Sequence, residues 1–201
     1  MVNRIVIVGA VIAAALLWFG PFSVPNCSTT GAGYADALSP SLAGVANVMH
    51  ARIRRNLAEA AASMPVAEYG FRPTPQMRTF AQLIGHVVNA NMFFCAQATG
   101  DNQPTTTNYE ELSDKSALVT ALNASLTRCD RAHVATTDDN FNQPVNMAPG
   151  VGMGPAKTVR GAVLMFNVAH NNEHYGNVVV YMRLRGHVPP STANAQQQLK
   201  K

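Results

Sequence analysis

Apolar residues recur at three- and four-residue steps along four stretches of the chain, the pattern of helices that each bury one face. In the first, residues 41–63, the stripe runs Leu42, Val45, Met49, Ile53 and Leu57, opened by Ser39-Pro40 and closed by Met64-Pro65. The second, residues 79–99, carries Leu83, His86, Ala90 and Phe93 and stops at Gly100. The third, residues 113–133, begins at Ser113-Asp114-Lys115-Ser116 and shows Leu118, Leu122, Ser125, Leu126 and Cys129 on one face. The fourth, residues 159–184, aligns Val163, Phe166, His170, His174, Val178 and Tyr181, and ends at Arg185-Gly186 before Pro189-Pro190. Val178 to Tyr181 has strand-like composition but continues that stripe, and no strand run or internal repeat competes with the helices. The pattern predicts an all-α, four-helix bundle. Its connections, roughly 13 to 25 residues long, exceed what a simple up-and-down bundle requires.

The N-terminus follows a different rule. Ile5 to Phe19 is unbroken apolar sequence behind Arg4 and ends at Gly20-Pro21. A run of about fifteen residues suits the apolar centre of a secretory signal better than a bilayer span of roughly 20. Residues 1–35 therefore read as a signal peptide or a membrane anchor, with cleavage expected after Ala32 or Ala35. Cys27 lacks the small apolar neighbours of a lipoprotein site, since Val24-Pro25-Asn26 precede it. The protein is expected to be exported, periplasmic or secreted. Residues 36–191 form the bundle, and the polar residues 192–201 are expected to be a disordered tail.

Composition narrows the classes further. With 47% apolar and 13% charged residues in 201, the chain has material for one real core. The formal charge of +4 is spread along the chain, with Arg52, Arg54 and Arg55 as the one tight group. No aromatic-basic alternation accompanies them, so they read as a solvated helix face and no nucleic-acid partner is expected.

Three histidines fall where a bundle would bury leucines. His170 and His174 are one turn apart on the fourth helix, the spacing at which two imidazoles share a metal. His86 occupies a matching stripe position on the second. Each buried imidazole has two nitrogens to satisfy, at roughly 1–3 kcal/mol for each one left without a partner. A shared ion satisfies three at once and leaves three for outer acceptors, for which Asn89, Asn167 and backbone carbonyls are candidates. Three protein ligands leave positions open for water or substrate. Imidazoles accept zinc, nickel, copper or iron, so the ligand type does not select the metal. His170 to His174 also spells H-x-x-E-H, a zinc-protease pattern, but that reading needs an acidic ligand downstream and no Asp or Glu follows Glu173.

Two segments resemble the DinB-like (DNA-damage-inducible) metal-binding bundles, and most closely the exported members of that family. One is Tyr69-Gly70-Phe71-Arg72-Pro73-Thr74-Pro75-Gln76-Met77-Arg78-Thr79-Phe80 with Gly85-His86-Val87-Val88-Asn89-Ala90-Asn91. The other is Ala169 to Asn177 with the trailing Arg185 to Ser191. The likeness spans roughly residues 40–191 and implies an up-down-down-up bundle with a three-histidine metal site. Its histidines land on His86, His170 and His174. Relatives include transferases and isomerases that use the metal to activate a low-molecular-weight thiol. The family order also makes the second and third helices parallel, which puts Cys95 and Cys129 at one end, and an exported protein would favour their disulfide.

The remaining candidates carry less. His50 borders the first helix's apolar face and is expected to be partly exposed. His133 lies near a helix end and His187 in a loop. The segment 142–157, with Met147 and Met153, reads as a connector, with a flap over the site as its functional alternative. Tyr175 is the weakest candidate for a general base. The resulting expectation is a divalent-metal protein, zinc, nickel or iron, of thiol-transferase or hydrolase type. The alternative is a non-catalytic metal-binding or stress-associated bundle. Expected partners are a small-molecule substrate, a second copy in a homodimer, and a membrane only through the N-terminal segment.

Overall fold

The computed structural model describes residues 41–101, 107–147 and 157–200. The expected signal, its cleavage sites and Cys27 lie outside the described residues, as does Met153. Helices α1 (Leu42–Ser63), α2 (Phe80–Thr99), α3 (Lys115–Val134) and α5 (Arg160–Leu184) form the bundle, with a short α4 (Asp138–Phe141) and a final α6 (Pro190–Gln198). Local chemistry sets their starts. Ser41 Oγ accepts from Gly44 N at 2.9 Å, Asp114 Oδ1 accepts from Ala117 N at 2.8 Å, and Thr79 and Gln82 form a reciprocal capping box. Gly100 ends α2 at φ 73°, a left-handed conformation that glycine adopts without penalty.

Helices α1 and α2 each pack against both α3 and α5. Lys115 Nζ at the start of α3 donates to the Ala62 and Met64 carbonyls at the end of α1, so these two run antiparallel. Tyr181, late in α5, donates to the Arg78 carbonyl just before α2, so that pair is antiparallel as well. Cys95 and Cys129 are disulfide-bonded with Cα atoms 5.1 Å apart, which joins α2 to α3 in parallel. The order is up-down-down-up. A large core of Ile53, Leu57, Phe80, Ile84, Leu122 and Tyr181 fills one part of the bundle. A second cluster around the disulfide holds Phe94, Met147, Val163 and Leu164.

Several elements differ from the sequence pattern. The tail is helical as α6 through Gln198, held by Ser191 N donating to the buried Tyr175 hydroxyl at 2.9 Å. That bond gives Tyr175, the weakest of the base candidates, a structural part. The connector around 142–157 closes with a three-residue antiparallel ladder, β1 (Pro144–Asn146) on β2 (Lys157–Val159). Leu42, Val45 and Met49 are exposed, and the buried positions of that part of α1 are Ala43, Ala46 and His50. The small residues face Phe141 of α4, while polar partners stabilise the histidine.

His50 is not partly exposed; it is 3% exposed and stacks on His133 with ring centroids 4.1 Å apart. His50 Nε2 lies 2.8 Å from Asp130 Oδ1, whose carboxylate also accepts from Arg54 Nε at 2.8 Å. His133 Nδ1 meets Asn47 Oδ1 at 3.2 Å. Burial lowers the His50 pKa against the pull of Asp130, and burial with the neighbouring His50 drives His133 down to about 3. As pH falls below the ordinary value of 6.5, the unfolded chain takes up protons that the folded chain refuses. Stability is therefore full above that pH and is lost progressively toward pH 3, by up to about 1.4 kcal/mol per pH unit for His133. Denaturant unfolding at pH 7 and pH 5 should show this loss, and His133→Gln should flatten it; an unchanged slope would refute the assignment.

The disulfide closes a loop of sequence separation 34. Its reduction is expected to lower stability by roughly 3–4 kcal/mol. Thermal unfolding with and without reductant checks this, with Cys95→Ser/Cys129→Ser as the non-reducible control.

Candidate metal centre

The three predicted histidines converge, although not in the core. On α5 the buried stripe is Leu164, Asn167, Val168, Asn171, Tyr175, Val178 and Met182. His170 and His174 flank it on one side, partly buried, while Phe166 is 40% exposed. The asparagines cause the displacement. Asn91 of α2 sits at the centre of a buried amide network, and its Oδ1 accepts from Asn167 Nδ2 and Asn171 Nδ2, each at 2.9 Å. Asn91 Nδ2 donates to Ser125 Oγ of α3 at 3.3 Å, and Ser125 in turn donates to the Leu122 carbonyl. All four side chains are fully buried. With the three amides joined inside and only Asn171 Oδ1 left without a partner among the described residues, the histidines beside them on the helix face the open edge of the α2–α5 seam.

At that edge His174 Nε2 and His170 Nε2 are 3.1 Å apart, and one ligand nitrogen from each of the three histidines lies within 4.8 Å of the others. The His86 ring is 5.2 Å from His170 and 4.6 Å from His174, centroid to centroid. Adjacent nitrogens on one ion with bonds of about 2.1 Å stand roughly 3.0–3.4 Å apart, so the α5 pair already has a ligand-pair separation. Burial, followed by the His174 and His86 charges, lowers His170 to about 4; burial and His86 lower His174. The resting pair is thus neutral, the form that donates a lone pair.

Sequence reading missed the group that orients His86. Glu110, in the 3-10 turn Tyr109–Glu111, places Oε1 2.8 Å from His86 Nδ1, and its Oε2 accepts from Arg78 Nε at 2.8 Å. Burial opposes its charge, yet the hydrogen bonds from Arg78 and His86 hold the Glu110 carboxyl below the usual range. Donation from Nδ1–H to Glu110 leaves His86 Nε2 with its lone pair free, the carboxylate–histidine arrangement that orients metal ligands. Gly85 permits this approach, because a Cβ there would overlap the Tyr109 carbonyl. Gly85 beside His86 was the one available hint; Glu110 lies 24 positions further on, in a turn with no periodicity.

The expected outer acceptors do other work. Asn89 Oδ1 accepts from Tyr109 N at 3.0 Å and its Nδ2 donates to Asn108, pinning the same turn, while Asn167 belongs to the buried network. His170 Nδ1 and His174 Nδ1 are buried with no hydrogen-bond partner among the described residues. His50 and His133 belong to the separate α1–α3 pair. Glu173 is exposed. Along α5 the histidines lie between two unlike neighbours. Toward the N-terminal end are aromatic rings, Phe94 at 5.8 Å and Phe166 at 6.4 Å from His170. Toward the other is the Arg78–Glu110 ion pair.

Comparison with known proteins agrees with the fold. A DinB-like protein from Bacillus cereus ATCC 10987 superposes with a TM-score of 0.57 at 16% identity, covering 69% of this chain and 89% of that one. The DinB-like YjoA from Bacillus subtilis gives 0.55 at 18% identity, covering 72% and 93%. A mycothiol-dependent maleylpyruvate isomerase gives 0.53 at 17% identity, covering 68% of this chain and 60% of that one. No curated protein matches significantly. The sequence matches the DinB superfamily over residues 49–178, a span holding all three histidines and Glu110, and the chain belongs to that superfamily.

Proposed function

We propose that the protein binds one divalent metal ion through His86, His170 and His174 and uses it to activate a small thiol or a water molecule in transferase or hydrolase chemistry. The convergence of three imidazoles, one oriented by a carboxylate, carries this reading. A divalent ion in that donor set supplies Lewis acidity at its open positions and favours the deprotonated form of what binds there. The chain's own residues do the rest. Glu110 holds the His86 ring with its Nδ1 proton outward, and Arg78 holds Glu110. The Phe94 and Phe166 rings restrict water on one side, and Arg78 offers a positive charge near the opposite side. The thiol part of the reading also draws on the fold shared with the mycothiol-dependent isomerase, of which this chain spans 60%.

A non-catalytic metal-binding bundle is the second reading, favoured by one observation. Tyr175 is occupied by Ser191 N and Glu173 points to solvent, so neither stands as a base beside the histidines. Export fits the Cys95–Cys129 disulfide, which persists in oxidising compartments. A small-molecule substrate and a homodimer remain part of the proposal, without nucleic acid.

Elemental mass spectrometry of the purified protein should find about one equivalent of zinc, nickel or iron, lost in His170→Ala/His174→Ala. Absence of metal after reconstitution with each of these ions would refute the reading. Turnover of thiol-adduct or ester substrates by the loaded protein alone then separates enzyme from metal-binding bundle. Glu110→Gln should keep the fold but weaken metal binding by about 10–100-fold, as measured by competition with a chromogenic chelator. An unchanged affinity would leave Glu110 as a tether for its turn.

A further inference from the structure

The Arg52, Arg54 and Arg55 group divides in the fold. Arg54 is tied to Asp130, whereas neither Arg52 nor Arg55 has an ion pair or hydrogen bond among the described residues. Both line a groove of about 590 Å³ between α1 and α6, together with Asn56, Ser191, Asn194 and Gln198. That volume lies within the range of about 300–1,000 Å³ typical of small-ligand sites. Asn56 supplies an independent observation. It is 5% exposed, and its Oδ1 is buried with no hydrogen-bond partner among the described residues. An unmet buried amide oxygen is costly unless something donates to it. Asn194 Nδ2 donates to Glu59 at 2.9 Å, which ties α6 to α1 beside the groove.

We infer that this groove binds a phosphomonoester carrying hydroxyl groups, such as a polyol or sugar phosphate. Two uncompensated guanidiniums one helical turn apart match a group of nearly two negative charges better than a single carboxylate. A hydroxyl on the body of the ester can donate to the Asn56 oxygen while the phosphoryl oxygens pair with the two guanidiniums. Ser191 and Gln198 give the polar body further partners. Helices α1 and α6 carry none of the three histidines, so this site is independent of the proposed metal chemistry.

Calorimetric titration of the full chain with glycerol 3-phosphate and glucose 6-phosphate tests the inference, with inorganic phosphate as the reference. Saturable binding is expected, tighter for the esters than for inorganic phosphate. Arg52→Gln/Arg55→Gln should weaken it by about tenfold or more at unchanged melting temperature. Asn56→Leu should erase the preference for the esters. The same affinities in His170→Ala/His174→Ala would exclude phosphate ligation at the histidines as the source. No saturable binding, binding indifferent to the two arginines, or an affinity for inorganic phosphate equal to that for the esters overturns the inference. Co-sedimentation with vesicles containing phosphatidic acid, without binding of the soluble esters, also overturns it.

Discussion

The site depends on one buried contact, the amide of Asn91 between α2, α3 and α5. Its oxygen accepts two amide donors from α5 and its nitrogen reaches Ser125 of α3. Sliding α2 against α5 by a turn would leave several of these fully buried groups without partners, at roughly 1–3 kcal/mol each. Apolar packing alone tolerates such a slip far better, because one aliphatic side chain can replace another in a groove. The network therefore specifies register as well as stability, and the register is what brings His86 level with His170 and His174.

The same displacement explains why the candidate centre is accessible. Had the histidines occupied the core stripe, an ion would have been sealed among aliphatic side chains. The asparagines take the inward positions of α5, and the histidines stand on average about 60° further round, partly buried. Their nitrogens converge at the rim of the seam, with aromatic rings toward one end and the Arg78–Glu110 pair toward the other. An arrangement closed by protein on one side and open on the other suits chemistry on a small molecule.

Two more polar groups stand apart from this centre and have opposite characters. The His50–His133 stack is buried and joins α1 to α3 through Asp130, Arg54 and Asn47, with His50 Nδ1 and His133 Nε2 left without a hydrogen-bond partner among the described residues. Arg52 and Arg55, one turn away on α1, are unpaired and face a groove. Three arginines that look alike as a run thus separate by the direction each takes from its helix.

Four helices, their approximate limits, the identity of the three convergent histidines and the α3 core face were legible in the sequence. Each rests on local periodicity, capping chemistry or a contiguous motif, and Leu118, Leu122, Leu126 and Cys129 are buried as their spacing requires. What sequence could not supply were most of the polar contacts between distant segments. Asn167 reads as an outer acceptor for the histidines until Asn91 claims it, and His50 reads as partly exposed until Asp130 and His133 enclose it. Glu110 and α6 follow the same logic, one depending on a glycine on another helix and the other on the Tyr175 hydroxyl. A polar side chain's preference for water is decided by whether the fold brings it a partner. Hydrophobic periodicity therefore located the helices and the inward face of α3, while only the tertiary structure decided how α1 and α5 turned their polar residues inward.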